Sequence, residues 1–165
     1  MRRLAVLVGV LLAAATAFPP GAAASSPERS TFSFVVEDTI DCSQFNPEWT
    51  FNDDFVDFFD GTATVWTDAA GNPVRESDHV HHTSNDVNSV TGFTLHEHNH
   101  FTVVLDFVAS TVTLSGAINV MQRPGTGEVI HNTGHKILDF ATGEPLALHG
   151  PNMSDDEDFC AAVAP

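Results

Sequence analysis

The stretch that decides the fold class reads TGFTLHEHNHFTVVLDF, residues 91–107. Its even-numbered positions from 94 to 102 carry Thr and His side chains. Most of its odd-numbered positions are apolar, at Phe93, Leu95, Phe101, Val103, Leu105 and Phe107. Alternation with a period of two is typical of a β-strand that buries one face. The stretch therefore predicts one long strand or two short ones.

The same stretch contains His96-Glu97-His98-Asn99-His100, which formally matches the H-E-x-x-H pattern of zinc proteases. That pattern requires a helix, on which the two histidines lie one turn apart. In a strand, His96 and His100 would lie about 13 Å apart, at roughly 3.3 Å per residue. They could not share one zinc ion, whose bonds to nitrogen are about 2 Å long. The strand prediction therefore argues against a zinc protease.

Similar patterns outside this stretch predict further strands, at residues 31–38, 62–67, 74–82, 111–121, 129–140 and 146–149. Residues 49–60 are compatible with a bulged strand pair or with a helical turn, and residues 83–88 are predicted to form a polar loop. Acidic residues at 155–158 predict a short helix that runs to about residue 163. The sequence thus predicts an all-β fold, an antiparallel up-and-down barrel or sandwich of about seven or eight strands with a short C-terminal helix. We expect one domain over residues 31–165.

Residues 1–24 have the features of a signal peptide. Arg2 and Arg3 precede an apolar run at residues 4–17, and Ala22-Ala23-Ala24 gives the small-residue pattern that signal peptidase recognises. We expect cleavage after Ala24 and a flexible N-terminal tail over residues 25–30. The protein is then predicted to be secreted, with no membrane association once the leader is removed.

The charge of the chain is strongly negative. It holds 22 Asp and Glu against 6 Lys and Arg, a formal net charge of −16. Without the leader, four basic residues remain and the net charge becomes −18. Nucleic acids and anionic membranes attract cationic surfaces, so this composition argues against both as partners.

Cys42 and Cys160 are the two cysteines of the chain. In an exported protein an even pair of cysteines predicts a disulfide bond. This bond would place the end of the first strand beside the C-terminal segment.

Histidine is unusually frequent, with nine residues. If residues 74–82 pair with the following strand across a loop at residues 83–92, we expect His81 opposite His96 and His79 opposite His98. Such a ladder could bind Zn²⁺ or Cu²⁺ through neutral imidazoles. The candidate ligands are His79, His81, His96, His98 and His100. A solvated polar face and a pH-responsive surface are the alternatives.

Several of the sequence features resemble an uncharacterised family of small secreted β-proteins of actinobacteria. They include a Phe-rich first strand ending at Cys42, the turns at residues 68–73 and 123–128, and the ending Asp158-Phe159-Cys160. The family pattern often has Gly after the first cysteine, where this chain has Ser43. The resemblance implies a fold and a secreted location. It transfers no catalytic residue, because the family has no known activity.

Three functions are compatible with the sequence, and no catalytic residue is predicted. The first is a non-enzymatic β-barrel that binds a small ligand or another extracellular component. The second is divalent-metal binding, to Zn or Cu, by the His-rich hairpin. The third is a small hydrolase or isomerase with a site in the barrel mouth. The acidic residues Asp53, Asp54, Asp57 and Asp60 are interpreted as solvating charges of a Phe-rich segment.

Overall fold

One antiparallel sheet contains all the strands that the computed structural model describes, over residues 26–123, 125, 127–153 and 156–164. Seven strands follow one another in chain order, and each pairs with the next. They are β1 (Glu28–Asp41), β2 (Asn52–Thr67), β3 (Pro73–Asn88), β4 (Thr94–Asp106), β5 (Thr111–Arg123), β6 (Gly127–Asp139) and β7 (Pro145–His149). A two-residue strand, β8 (Asn152–Met153), pairs with β6, and helix α1 (Asp156–Val163) follows it. The predicted all-β antiparallel class with a short C-terminal helix is confirmed.

The sheet is curled but not closed. Within the described residues, β1 and β7 form the two ends of the strand order and do not pair with each other. Nevertheless, Ile40 of β1 and Ile130 of β6 belong to the same apolar cluster, so the sheet bends around its buried face. This arrangement is compatible with the predicted barrel or sandwich.

Two apolar clusters occupy the inside of the curled sheet. The cluster at the helix end includes Ile40, Phe55, Leu95 and Met121, together with Phe159 and Val163 of α1. The second cluster lies further along the strands and contains Phe59, Val80, Phe101, Val103, Leu105, Val112, Leu114, Ile118 and Leu138. The inward orientation predicted for Leu95, Phe101, Val103 and Leu105 is confirmed, since each is buried.

The predicted disulfide bond joins Cys42 to Cys160 across 118 positions of the chain. Both cysteines are fully buried within the cluster at the helix end. The bond therefore attaches α1 to the segment that follows β1, as predicted.

Three segment boundaries differ from the sequence prediction. The sequence predicts that residues 28–30 belong to a flexible tail, but they pair with residues 63–65 of β2 as the first part of β1. Residues 52–67 form one strand, although the sequence divided them between an ambiguous segment and a separate strand. Residues 83–88 belong to β3 instead of a loop. The predicted leader, residues 1–24, lies outside the described residues.

The turn between β3 and β4 explains why residues 83–88 are not a loop. The Asn88 side chain accepts hydrogen bonds from the backbone N–H groups of Val90 and Thr91 through its Oδ1. The Asn88 backbone N–H donates to Phe93 O. These bonds confine the turn to residues 89–93, so the strands before and after it extend further than the sequence suggests.

No helix in the described part of the chain is long and apolar enough to cross a membrane.

Candidate functional site: a buried histidine between two carboxylates

A band of polar side chains lies between the two apolar clusters. On β4, Glu97 and Asn99 lie between Leu95 of one cluster and Phe101 of the other. On β2, Asp57 lies between Phe55 and Phe59 in the same way. All three polar residues point inward because alternate residues of a strand face the same side of the sheet. The band is therefore part of the buried face and is separated from solvent.

His82 of β3 is at the centre of this band and is 4% exposed. Its Nε2 lies 3.2 Å from Asp57 Oδ1, and its Nδ1 lies 3.1 Å from the Asn99 amide nitrogen. Glu97 Oε1 is 3.7 Å from the same Nδ1. The Phe59 ring stacks on the imidazole, with ring centroids 4.5 Å apart and planes 11° apart. These contacts hold the imidazole on both edges and one face.

The Asn99 contacts define which nitrogen of His82 carries the proton. The backbone N–H of Val120 donates to Asn99 Oδ1 at 2.8 Å, so the oxygen of this amide faces β5. The Asn99 NH₂ group then faces His82 and donates to Nδ1, which must accept. In the neutral imidazole the proton is therefore on Nε2, which donates to Asp57 Oδ1.

The donor atoms of Asp57, His82 and Glu97 are suited to a metal ion. One donor atom from each residue can be chosen so that all three lie within 4.8 Å of one another, and these residues are at most 4% exposed. Among the described residues, no other group of three or more His, Cys, Asp or Glu side chains is this compact. One imidazole nitrogen and two carboxylate oxygens match the ligands of Zn²⁺ and related divalent ions.

The buried acidic side chains are not balanced by buried basic ones. Six carboxyl groups are buried, those of Asp53, Asp57, Glu76, Asp78, Asp86 and Glu97. No Lys or Arg is fully buried in the described part of the chain. Lys136 of β6 is half-buried, and burial lowers the pKa of its amine below the usual range. Burying an ionised carboxylate is costly unless a cation, a proton or hydrogen bonds compensate it. The interior therefore favours the binding of protons or metal cations.

Glu76 and Asp78 form a second acidic pair at the other end of β3. Burial, together with the nearby Glu76 charge, raises the pKa of Asp78 to about 7. Burial also raises the pKa of Glu76 above its usual range. Neither Asp78 oxygen has a hydrogen-bond donor when both groups are ionised. A proton on one of the two carboxyls allows it to donate to the other, so this pair favours the protonated form.

The five histidines proposed as metal ligands are outward-facing and exposed, and their predicted pairing is wrong. His81 lies opposite His100, not His96. His96 lies opposite Asn85, His98 opposite Thr83, and His79 opposite Thr102. The difference arises because the turn at residues 89–93 is centred later in the chain than the predicted loop at residues 83–92, so each β3 residue pairs four positions further along β4 than expected. Metal binding by these histidines stays a prediction.

The sequence analysis did not identify the buried site. Its interpretation of Asp53 and Asp57 as solvating charges is wrong, since both face inward and are at most 4% exposed. A signal was nevertheless present, because Glu97 and Asn99 share the odd-numbered face of residues 91–107 with the buried apolar residues. His82 gave no comparable signal, since the segment after it was interpreted as a loop.

Comparisons with known proteins do not change this description. No protein-family model matches the chain, and neither curated proteins nor solved structures give a match. The similarity to a secreted actinobacterial family therefore stays a prediction.

Proposed function

We propose that this protein binds one divalent cation inside its curled sheet, through Asp57, His82 and Glu97. The observation that carries the proposal is that three buried donor groups converge within 4.8 Å in an interior where none of the described Lys or Arg residues is fully buried. Two carboxylates and a neutral imidazole would leave no net charge around a doubly charged ion. Metal binding thus compensates part of a desolvation cost that the interior otherwise meets with hydrogen bonds and protons.

The ligand set favours a transition-metal ion over Ca²⁺ or Mg²⁺. Ca²⁺ prefers six to eight oxygen ligands and Mg²⁺ keeps several waters, so a site with an imidazole suits neither ion well. Zn²⁺ and Mn²⁺ accept nitrogen and oxygen ligands together. The stacked Phe59 ring holds the plane of the imidazole in place before an ion binds. Because Nε2 carries the proton that is donated to Asp57, Nδ1 is the metal-binding nitrogen, and an ion bound there replaces the hydrogen bond from the Asn99 amide.

The burial of the site supports binding of an ion and gives less support to catalysis. With His82 4% exposed, an inorganic ion can be enclosed more readily than an organic substrate. We therefore propose a non-enzymatic, secreted binding protein. The disulfide is compatible with an oxidising extracellular location, and residues 1–24 would direct export. The first function predicted from the sequence is binding of a small ligand, and we propose that this ligand is the metal ion.

The test is a metal titration of the chain produced by an oxidising export route without a polyhistidine tag. Metal-free protein is titrated with Zn²⁺, Mn²⁺ and Co²⁺ by calorimetry, and bound metal is counted by elemental analysis. We expect one ion per chain at the interior site. His82→Gln, Asp57→Asn and Glu97→Gln should each weaken binding at least about tenfold.

The control variant is His131→Gln, which removes an exposed histidine of β6. It should bind the interior ion as the wild type does. The proposal is overturned if none of the three ions binds, or if the His82, Asp57 and Glu97 variants bind as tightly as the control. Circular dichroism of each variant confirms that the sheet is retained.

A further inference from the structure

A row of three candidate metal ligands crosses the outer face of the sheet. Asp60 of β2 lies directly opposite His81 of β3, and His81 lies directly opposite His100 of β4. Residues paired in this way project to the same side of a sheet, with neighbouring side chains about 5 Å apart. The three side chains are therefore placed side by side on three consecutive strands.

The contacts within this row are close. His81 Nδ1 lies 3.4 Å from Asp60 Oδ2. The rings of His81 and His100 meet edge to face, with centroids 4.6 Å apart. The side chains of His81 and Asp60 are 61% and 65% exposed, so they can turn toward a common ion. The ends of the row are uncharged, with Ser33 opposite Asp60 and Ala117 opposite His100. No basic group on these neighbouring positions competes with a cation.

The other histidines of the β3–β4 hairpin are less suited to share an ion. His79 Nδ1 contacts the Thr102 hydroxyl, and His96 Nδ1 contacts Asn85 Oδ1. His98 lies opposite Thr83 and has no histidine across from it. A second cross-strand histidine pair, His135 and His149, has its ring centroids 6.3 Å apart. Its neighbour on β5 is Ser115, so that row contains no carboxylate.

We propose that Asp60, His81 and His100 form a surface site for a Cu²⁺-class ion. Two imidazoles and one carboxylate bind borderline divalent metals, and Cu²⁺ binds such donors most strongly among the first-row ions. This site is separate from the proposed interior site. His81 and His82 are consecutive residues of one strand and so point to opposite faces of the sheet. The surface ion keeps open positions for water or a further extracellular ligand.

The test counts the nitrogen ligands of bound Cu²⁺. The tag-free, disulfide-bonded chain carrying His82→Gln, which removes the interior site, is titrated with Cu²⁺ and its electron paramagnetic resonance spectrum is recorded. We expect one tightly bound Cu²⁺ whose nitrogen couplings correspond to two imidazoles. His81→Gln and His100→Gln should each reduce affinity at least about tenfold, and Asp60→Asn should reduce it by a smaller factor. Because imidazole binds metal only when neutral, affinity should fall on acidification.

Two control variants distinguish this site from its neighbours. His135→Gln combined with His149→Gln removes the other histidine pair, and His96→Gln combined with His98→Gln removes the remaining β4 histidines. Neither should alter Cu²⁺ affinity. The surface proposal is overturned if either control loses Cu²⁺, or if the His81 and His100 variants keep it. His82→Gln removes the interior site alone, so the two proposals can fail independently.

Discussion

The proton on the His82 imidazole depends on the side chain of a single neighbour. Asn99 is held by Val120 N–H on one side and donates to His82 Nδ1 on the other. Replacing its NH₂ group by an oxygen would put two acceptors against each other. A second proton on the ring, at Nδ1, removes that conflict, because Nδ1 then donates to the new carboxylate.

We therefore predict a change of protonation state in the variant Asn99→Asp. In metal-free wild-type protein, Nε2 of the His82 ring should carry the proton and Nδ1 should accept from Asn99. In the variant, the ring should be doubly protonated at the same pH, because both Asp57 and residue 99 would then accept from it. Long-range ¹H–¹⁵N NMR correlations of the imidazole nitrogens distinguish the two forms.

The control for this measurement is His131, an exposed histidine on β6. Its nitrogen signals should not change between wild type and variant. A wild-type His82 with its proton on Nδ1 would contradict the hydrogen-bond assignment.

The site was not predicted from the sequence, and the reason is physical. Alternation along residues 91–107 fixes the face on which Glu97 and Asn99 lie, because a strand has a strict period of two. It does not reveal that polar residues are buried, since a charged side chain is rarely found inside a core. Contact between His82 and Asp57 also depends on the register of two hairpins, which local sequence specifies weakly.

At the scale of the elements, the turn between β3 and β4 sets the register of the hairpin. The sequence correctly predicts both strands and the turn but places the turn too broadly over residues 83–92. Residues 83–88 are mostly polar, a composition that is typical of a loop. In the structure, however, Ser84, Asp86 and Asn88 belong to a strand and point into the polar interior. Polar composition alone therefore does not distinguish a loop from a strand where the inside of the sheet is itself polar.

Asn88 is the residue that fixes this turn, and it also contacts the helix. Its Oδ1 accepts from Val90 and Thr91, and its Nδ2 donates to the carbonyl of Val163 at the end of α1. We predict that Asn88→Ala lowers the free energy of unfolding by about 2–3 kcal/mol, because three hydrogen bonds of a buried group are lost together. Urea denaturation followed by circular dichroism measures this difference.

A matched control is Asn46→Ala. The Asn46 side chain accepts a single exposed hydrogen bond, from Glu48 N–H, so its loss should cost less than about 1 kcal/mol. If Asn88→Ala is no more destabilising than Asn46→Ala, Asn88 does not hold the turn and the helix as described.

At the scale of the whole molecule, the interior of the curled sheet contains three chemically different regions, which follow one another along the strands. The cluster at the helix end is closed by α1, which the Cys42–Cys160 bond holds in place. Beyond it come the polar band around His82 and then the second apolar cluster. Glu76 and Asp78 lie on β3 beside that cluster, opposite apolar residues of β2 and β4.

This organisation makes the stability of the fold depend on pH through the Glu76–Asp78 pair. The pKa of Asp78 is raised to about 7 from 3.8, so the folded chain holds a proton that the unfolded chain has already released. Folding is then favoured at low pH, and its stability falls as the pH rises from about 4 to about 7. The loss is of the order of 1 kcal/mol per pH unit within this window.

We predict that Asp78→Asn removes much of this decline and makes the protein more stable at pH 8 than the wild type. Its amide keeps the size of the carboxyl and carries no charge. The measurement is urea denaturation at several pH values from 4 to 8, in the presence of a chelator so that no metal contributes. Three exposed carboxyls, those of Asp41, Asp68 and Asp139, have a pKa lowered by hydrogen bonds. They contribute the opposite trend, a loss of stability on acidification below about pH 4.

The control for Asp78→Asn is Glu37→Gln, which neutralises an exposed carboxyl of β1 and lowers the net negative charge by the same amount. Both variants reduce the electrostatic repulsion among the many negative charges of the chain. For exposed groups this repulsion is weak at physiological salt. A larger gain at pH 8 for Asp78→Asn than for Glu37→Gln therefore reports the buried pair itself. Equal gains would mean that the decline comes from the net charge of the molecule and not from the carboxyl pair buried on β3.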